Sequence, residues 1–195
     1  MVRDTSKIIQ ALAYLANYQP EKMLDNMKAY KLLWLADRYH LRQTGRTITG
    51  DVYYAMPYGI VPSDAKCLLE NEKTKLKESK RYKNKYLLLD VNKHQYKAVS
   101  EPDLQMFSDS DQEALDKVLE HYNDLDAMQL SELSHKFPEC TKYKKVLENK
   151  ETKNSYKIDF DYFFEDAPMD ECRLFNDNKE LLALTKDLFH QYNRK

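Results

Sequence analysis

The stretch "KLLWLADRYHLRQTGRTITGDVYYAMPYGIVPS", Lys31 to Ser63, decides the reading of the fold. Its first half is apolar on several sides, with Leu32, Leu33, Trp34, Ala36, Tyr39 and Leu41, and predicts a helix central to the core. Its second half holds the only three glycines of the chain, Gly45, Gly50 and Gly59. Glycine reaches positive φ and lets backbones approach closely, so each predicts a turn or a tight contact. Gly45 is the expected helix stop. Gly50-Asp51 reads as a turn into a short strand, Val52–Met56. Ser63, after Pro62, reads as the N-cap of a further helix carrying Ala65, Leu68 and Leu69.

Outward from this segment, Ile8, Ile9, Leu12, Leu15 and Ala16 recur at helical spacing and predict a first helix over 6–17. Pro20 separates it from the central helix, expected over 21–43. Tyr86–Leu89 and Gln95–Val99, around Asn92-Lys93, read as two strands. Ser110-Asp111-Gln112-Glu113 reads as a capping box opening a helix with Leu115, Val118, Leu119 and Tyr122 on one face. Residues 126–149 form a helix–turn–helix silhouette capped by Asp126 and broken at "KFPEC". Ile158, Phe160, Tyr162 and Phe164 alternate with polar residues and predict an extended segment. A last helix is expected over 178–192, with Leu181, Leu184, Leu188 and Phe189. The fold class is α+β: a mostly helical single domain, 1–195, with a small antiparallel sheet or hairpins.

A chain of 195 residues can build a core without staples. The net charge of −1 with 32% charged residues argues against disorder and against a generic nucleic-acid surface. No apolar run approaches the ~18 residues a membrane span needs, and residues 1–18 do not read as a signal peptide. Cys67, Cys140 and Cys172 match neither CxxC nor a zinc spacing and read as reduced thiols, which fits a cytoplasmic protein. A basic stretch (Lys73 to Lys85) and an acidic one (Asp159 to Glu171) are either solvated faces or opposed patches that orient a protein partner.

Motif chemistry is sparse. GxGxxG and GxxxxGK[ST] are absent, which excludes phosphate binding by those routes. The five histidines lack HxxxH or HExxH spacing; a metal site would need His40, His135 and an acidic residue gathered from afar. A Cys67 nucleophile has no local signature. No metal and no cofactor is expected. Lys142, Lys144, Lys145 and Lys150 in the 126–149 silhouette offer phosphate contacts but little base readout, so nucleic acid is not the expected partner. Tyr53, Tyr54 and Tyr58 cluster beside the glycines, where amphipathic rings suit either a core margin or a protein interface.

The Lys31–Ser63 stretch resembles the signature of the Panacea (SocA-like) antitoxin domain family. The helix, the glycine, the Thr/Ile turn and the pattern Tyr53-x-Ala55-x-x-x-Gly59 carry the likeness, with Ile60 where the family has proline. "LSELSHK" (Leu130–Lys136), followed by the aromatic in "TKYKK", resembles the second motif of that family, around a Ser/Thr-His pair. The resemblance spans Leu24 to Glu165. It implies a non-enzymatic antitoxin that neutralises, by direct contact, a protein toxin encoded beside it. Alternatives are an adaptor delivering a toxin to a cytoplasmic protease, or a DNA-binding regulator using 126–149. The partner-binding candidates are Tyr53, Tyr54, Tyr58, Gly59, Arg38, His40 and His135.

Overall fold

The computed structural model describes residues 5–70, 77–149, 154–167 and 174–193. It is mostly helical, with two small antiparallel sheets, as expected from the sequence. Helix α1 (Thr5–Asn17) is buried continuously from Ile8 to Ala16, so it lies inside the molecule rather than on it. Even Gln10 is enclosed, its amide donating to the Tyr82 hydroxyl at 2.6 Å and accepting from the Asp103 N–H at 2.7 Å.

The central helix starts later than its periodicity suggests. Pro20–Lys22 form a 3₁₀ turn, Met23–Asp25 form strand β1, and α2 runs Asn26–Thr44. The reason is local: the Asp25 carboxylate accepts from Met27 N and Lys28 N, satisfying two of the orphan donors of the first turn. Leu24 is then a strand residue paired with Tyr96 rather than a helical one. At the other end Gly45 closes α2 at φ +76, its N–H donating to Leu41 O.

Strands β2 (Tyr53–Met56) and β3 (Gly59–Pro62) form a hairpin with Pro57-Tyr58 at its tip. Helix α3 (Ser63–Leu69) follows, but Ser63 is not its cap. Asp51 reaches across instead, accepting from Asp64 N and Ala65 N at 2.9 Å each, while Ser63 N is taken by Val52 O. Helix α4 (Lys77–Tyr86) carries the described part of the basic stretch; Lys73 and Lys75 lie outside the described residues. Strands β4 (Leu87–Asp90) and β5 (Gln95–Ala98) complete a sheet of order β1-β5-β4.

Helix α5 (Asp109–Tyr122) opens two residues earlier than expected. Ser108 is the N-cap, and its capping box is closed by Asp111. Ser110 instead meets a ring nitrogen of His40. Leu115, Val118, Leu119 and Tyr122 are buried, as their spacing requires. The 126–149 region divides into α6 (Ala127–Ser134), α7 (Pro138–Thr141) and α8 (Lys144–Glu148).

The alternating aromatic segment is a further correction. Only β6 (Tyr156–Lys157) is strand, pairing with β2 in the sheet β3-β2-β6. Phe160–Phe164 is a 3₁₀ helix begun by the Asp159 side chain on Asp161 N, which brings both Phe163 and Phe164 inward. Helix α9 (Lys179–Asn193) buries Thr185 and Phe189 but leaves Leu181 and Leu184 exposed. Asp170, Glu171 and Cys172 lie outside the described residues. No helix among the described residues is long and apolar enough to cross a membrane.

Candidate functional site

Positions 31, 34, 38 and 42 fall on one face of α2 at helical spacing. Lys31, Trp34, Arg38 and Arg42 are all fully buried. A buried charge persists only when paired or hydrogen-bonded, and each of these side chains has a destination. Trp34 Nε1 and Arg38 Nε both donate to Glu139 Oε1, at 3.0 and 2.9 Å. The Arg38 guanidinium lies between the Phe137 and Phe175 rings, 4.8 and 4.3 Å from their centroids, and donates to Glu165 O at 2.6 Å. Arg42 binds the carbonyls of Phe163, Glu165 and Phe175 together with the carboxylates of Asp166 and Asp177. Asp166 is 64% exposed, so that pair contributes at most about 1 kcal/mol. Glu139 is fully buried and matters far more.

Carboxylates also order the glycine segment. Asp37 accepts from Ile48 N, Thr49 N, the Thr49 hydroxyl and the Tyr53 hydroxyl. Asp51 accepts from Val52 N as well as from the first turn of α3. Burial pushes the Asp51 carboxyl up to about 7 against these donors, which favour its anion. These loop amides are therefore satisfied from within, and the segment is not shaped to receive a phosphate.

Of the residues singled out in the sequence, Tyr53, Arg38 and His40 are interior. His40 places Nδ1 2.8 Å from Arg46 O and Nε2 3.0 Å from the Ser110 hydroxyl. Burial, with Arg46 and Lys7 nearby, pulls its pKa down to about 4. The neutral ring thus donates from Nδ1 and accepts at Nε2. Asp111, 3.2 Å from Nε2, is already engaged by Lys7 and Arg46. Tyr54 is half-buried on the β2–β3 sheet.

Tyr58 is 67% exposed at the hairpin tip. Its carbonyl accepts from the Ser131 hydroxyl at 2.8 Å, which fixes the tip to α6. His135, exposed at the end of α6, hydrogen-bonds the Pro57 backbone and lies 3.3 Å from Cys140 Sγ. Pro57, His135, Cys140 and Lys144 border a hollow of about 330 Å³. The structure thus brings Tyr58 and His135, 77 residues apart in sequence, to one surface. Gly59 is what lets them meet. It has φ +89, and a Cβ there would stand 1.9 Å from Ser134 Oγ and 3.1 Å from Lys31 Nζ.

Glu139, Asp37, Asp51, Lys31 and Ser134 are not singled out by sequence reasoning, yet they hold this surface in place. One signal was available: an apolar helix with cations at 31, 38 and 42 on a single stripe demands buried acceptors elsewhere. Among the described residues, no group of three or more His, Cys, Asp or Glu is placed to hold a metal ion.

Lys31 gives a pH prediction. Its ammonium donates to Ile60 O at 2.7 Å with no carboxylate among the described residues paired with it, and burial pulls its pKa from 10.5 to about 7. Between those values the unfolded chain binds the proton and the folded chain does not, so stability rises with pH across that window. Below about 7 both states are protonated and the slope from this group vanishes. Denaturant melts of wild type and Lys31→Met from pH 7 to 10 should show a steeper rise in wild type, since burial also lowers the pKa values of Lys28 and Lys83, which both proteins keep. An equal rise in the variant assigns it to another group.

A helix-centred α+β domain, framed by buried ion pairs and presenting a glycine-fixed hairpin tip, is the class defined by this geometry. The family model described as "Antitoxin SocA-like, Panacea domain" matches residues 30–140, more than half of the chain, and the chain belongs to that family. No curated protein and no solved structure matches it.

Proposed function

We propose that this protein is the antitoxin of a toxin–antitoxin pair, acting in the cytoplasm without catalysis, and that it neutralises a neighbouring gene's protein toxin by direct binding. Family membership over residues 30–140 carries the reading. The binding face is the hairpin tip with Tyr58 at its centre and His135 beside it. An exposed tyrosine on a rigid tip brings large contact area at low entropic cost, and aromatic anchors of this kind carry about 2 kcal/mol or more of binding energy. Arg38, His40, Tyr53 and Gly59 act from below, as the frame that holds the tip. The geometry of 126–149 does not favour a DNA-binding regulator: α8 has only five residues and Glu139 is committed to the core.

Tyr58→Ala should weaken binding of the neighbouring gene's product at least about tenfold while changing the thermal melt little, because Tyr58 is mostly exposed and its bond to Ser131 is made by its backbone carbonyl. Co-purification and titration of that product with wild type and variant measure the effect, and a thermal melt of each checks the fold. A folded Tyr58→Ala protein that binds as tightly as wild type removes the tip from the interface. A neighbouring product that is not toxic, or whose toxicity this protein does not relieve, removes the antitoxin reading itself.

A further inference from the structure

We propose that the free edge of β4 is a docking site for an extended, acidic segment of a partner protein, separate from the hairpin-tip surface. In the sheet of order β1-β5-β4, no strand among the described residues pairs with the outer side of β4. The bond from Val99 N to Tyr86 O, at 2.8 Å, sets the alternation of the ladder. With Leu88 opposite Lys97 and Asp90 opposite Gln95, those residues bond inward to β5. The N–H and C=O of Leu89 and the carbonyl of Leu87 therefore turn outward.

Open edges are normally blunted by shortness, a proline, a bulge, a covering loop or edge charges such as lysine; β4 is short, at four residues, but contains no proline and no lysine. Here the exposed mid-strand side chain is Leu88, 63% exposed, and Val91 and Val99 at the two ends of the β4–β5 ladder are also exposed. A hollow of about 430 Å³ lies against this strand pair, bordered by Leu88, Gln95, Lys97 and Met23.

Charge decides the occupant. Residues 80–99 carry six cations, Lys80, Arg81, Lys83, Lys85, Lys93 and Lys97, against the single acid Asp90. All of these cations except Lys83 are exposed. An incoming strand gains main-chain hydrogen bonds from the edge and specificity from alternate side chains. Acidic side chains on that strand would meet the lysines, and an apolar one would cover Leu88. A second copy of this chain would set the same cations against themselves. A nucleic acid would satisfy the charges but could neither pair with the Leu89 peptide groups nor use Leu88.

The probe is a short capped peptide of alternating glutamate and valine, titrated into the full-length protein with amide hydrogen exchange as the readout. Binding should slow exchange at the Leu89 amide about tenfold and weaken with added salt. Leu88→Glu and Lys97→Glu should each weaken binding at least about tenfold without lowering the melting temperature, since both side chains are exposed. Equal binding of a lysine–valine peptide, or of the acidic peptide N-methylated at alternate amides, overturns the proposal. So does an unprotected Leu89 amide at saturation. A dimer in ultracentrifugation that Leu88→Glu abolishes would assign the edge to a second copy and overturn the acidic partner. Toxin neutralisation is not read in these measurements, so their outcome leaves the hairpin-tip reading untouched.

Discussion

Glu139→Leu should lower the folding stability by about 3–5 kcal/mol, the usual cost of removing one partner from a buried ion pair. Glu139 and Arg38 are both fully buried, and one carboxylate oxygen also takes the Trp34 indole N–H. With leucine there, the guanidinium keeps Glu165 O but loses the one carboxylate that it meets among the described residues, and the indole loses its acceptor. Much of the stability of a domain is at stake, since typical totals are only about 5–15 kcal/mol. Urea melts of the single variant and of the double variant Arg38→Met/Glu139→Leu measure the effect. The double variant should recover most of the loss, because a pair replaced by apolar groups leaves no stranded charge. A single variant that melts within about 1 kcal/mol of wild type would show that the pair does not organise this core.

Gly59→Ala should cost about 3 kcal/mol through two separable causes. The backbone sits at φ +89, where an L side chain is strained by about 1–3 kcal/mol. The new Cβ would also overlap Ser134 Oγ, which is held by its bond to Ser131 O at 2.7 Å. Adding Ser134→Ala removes the obstructing hydroxyl and should restore the steric part only. A thermodynamic cycle over the two positions therefore yields a coupling on the order of 1 kcal/mol. A cycle without coupling would mean that the backbone moves aside, and the tip would then have no fixed relation to α6.

Much of the fold was legible because local patterns and tertiary packing agree there. The periodicity of α1 and α5, the stop at Gly45 and the strand pair β4 and β5 around Asn92-Lys93 need no distant partner to be read. The misread places share one cause, a side chain acting across the chain or one turn away. Ser63 has the right residue type for a cap, but Asp51 occupies the role from twelve residues upstream. Phe160–Phe164 has a strand's period, yet Asp159 winds it into a 3₁₀ helix and turns two adjacent phenylalanines inward. At the surface, Tyr58 was visible beside its glycine. Nothing local distinguished it from Tyr53, which lies beneath the sheet and donates to Asp37 at 2.7 Å.

The stripe of cations on α2 bears on how the molecule is made. Arg38 waits for Glu139, and Arg42 waits for Asp166 and Asp177, partners separated from them by 101 to 135 residues. During synthesis the helix leaves the ribosome long before any of these acceptors exists. Packing its apolar face early would strand guanidinium groups in a half-built interior, at a cost of several kcal/mol each. On this ground the core is expected to close only after Glu139 and Asp177 have been made. A chain shortened before Glu139 is therefore expected to leave the central helix loosely packed, which amide hydrogen exchange of such a fragment beside the 195-residue protein would test.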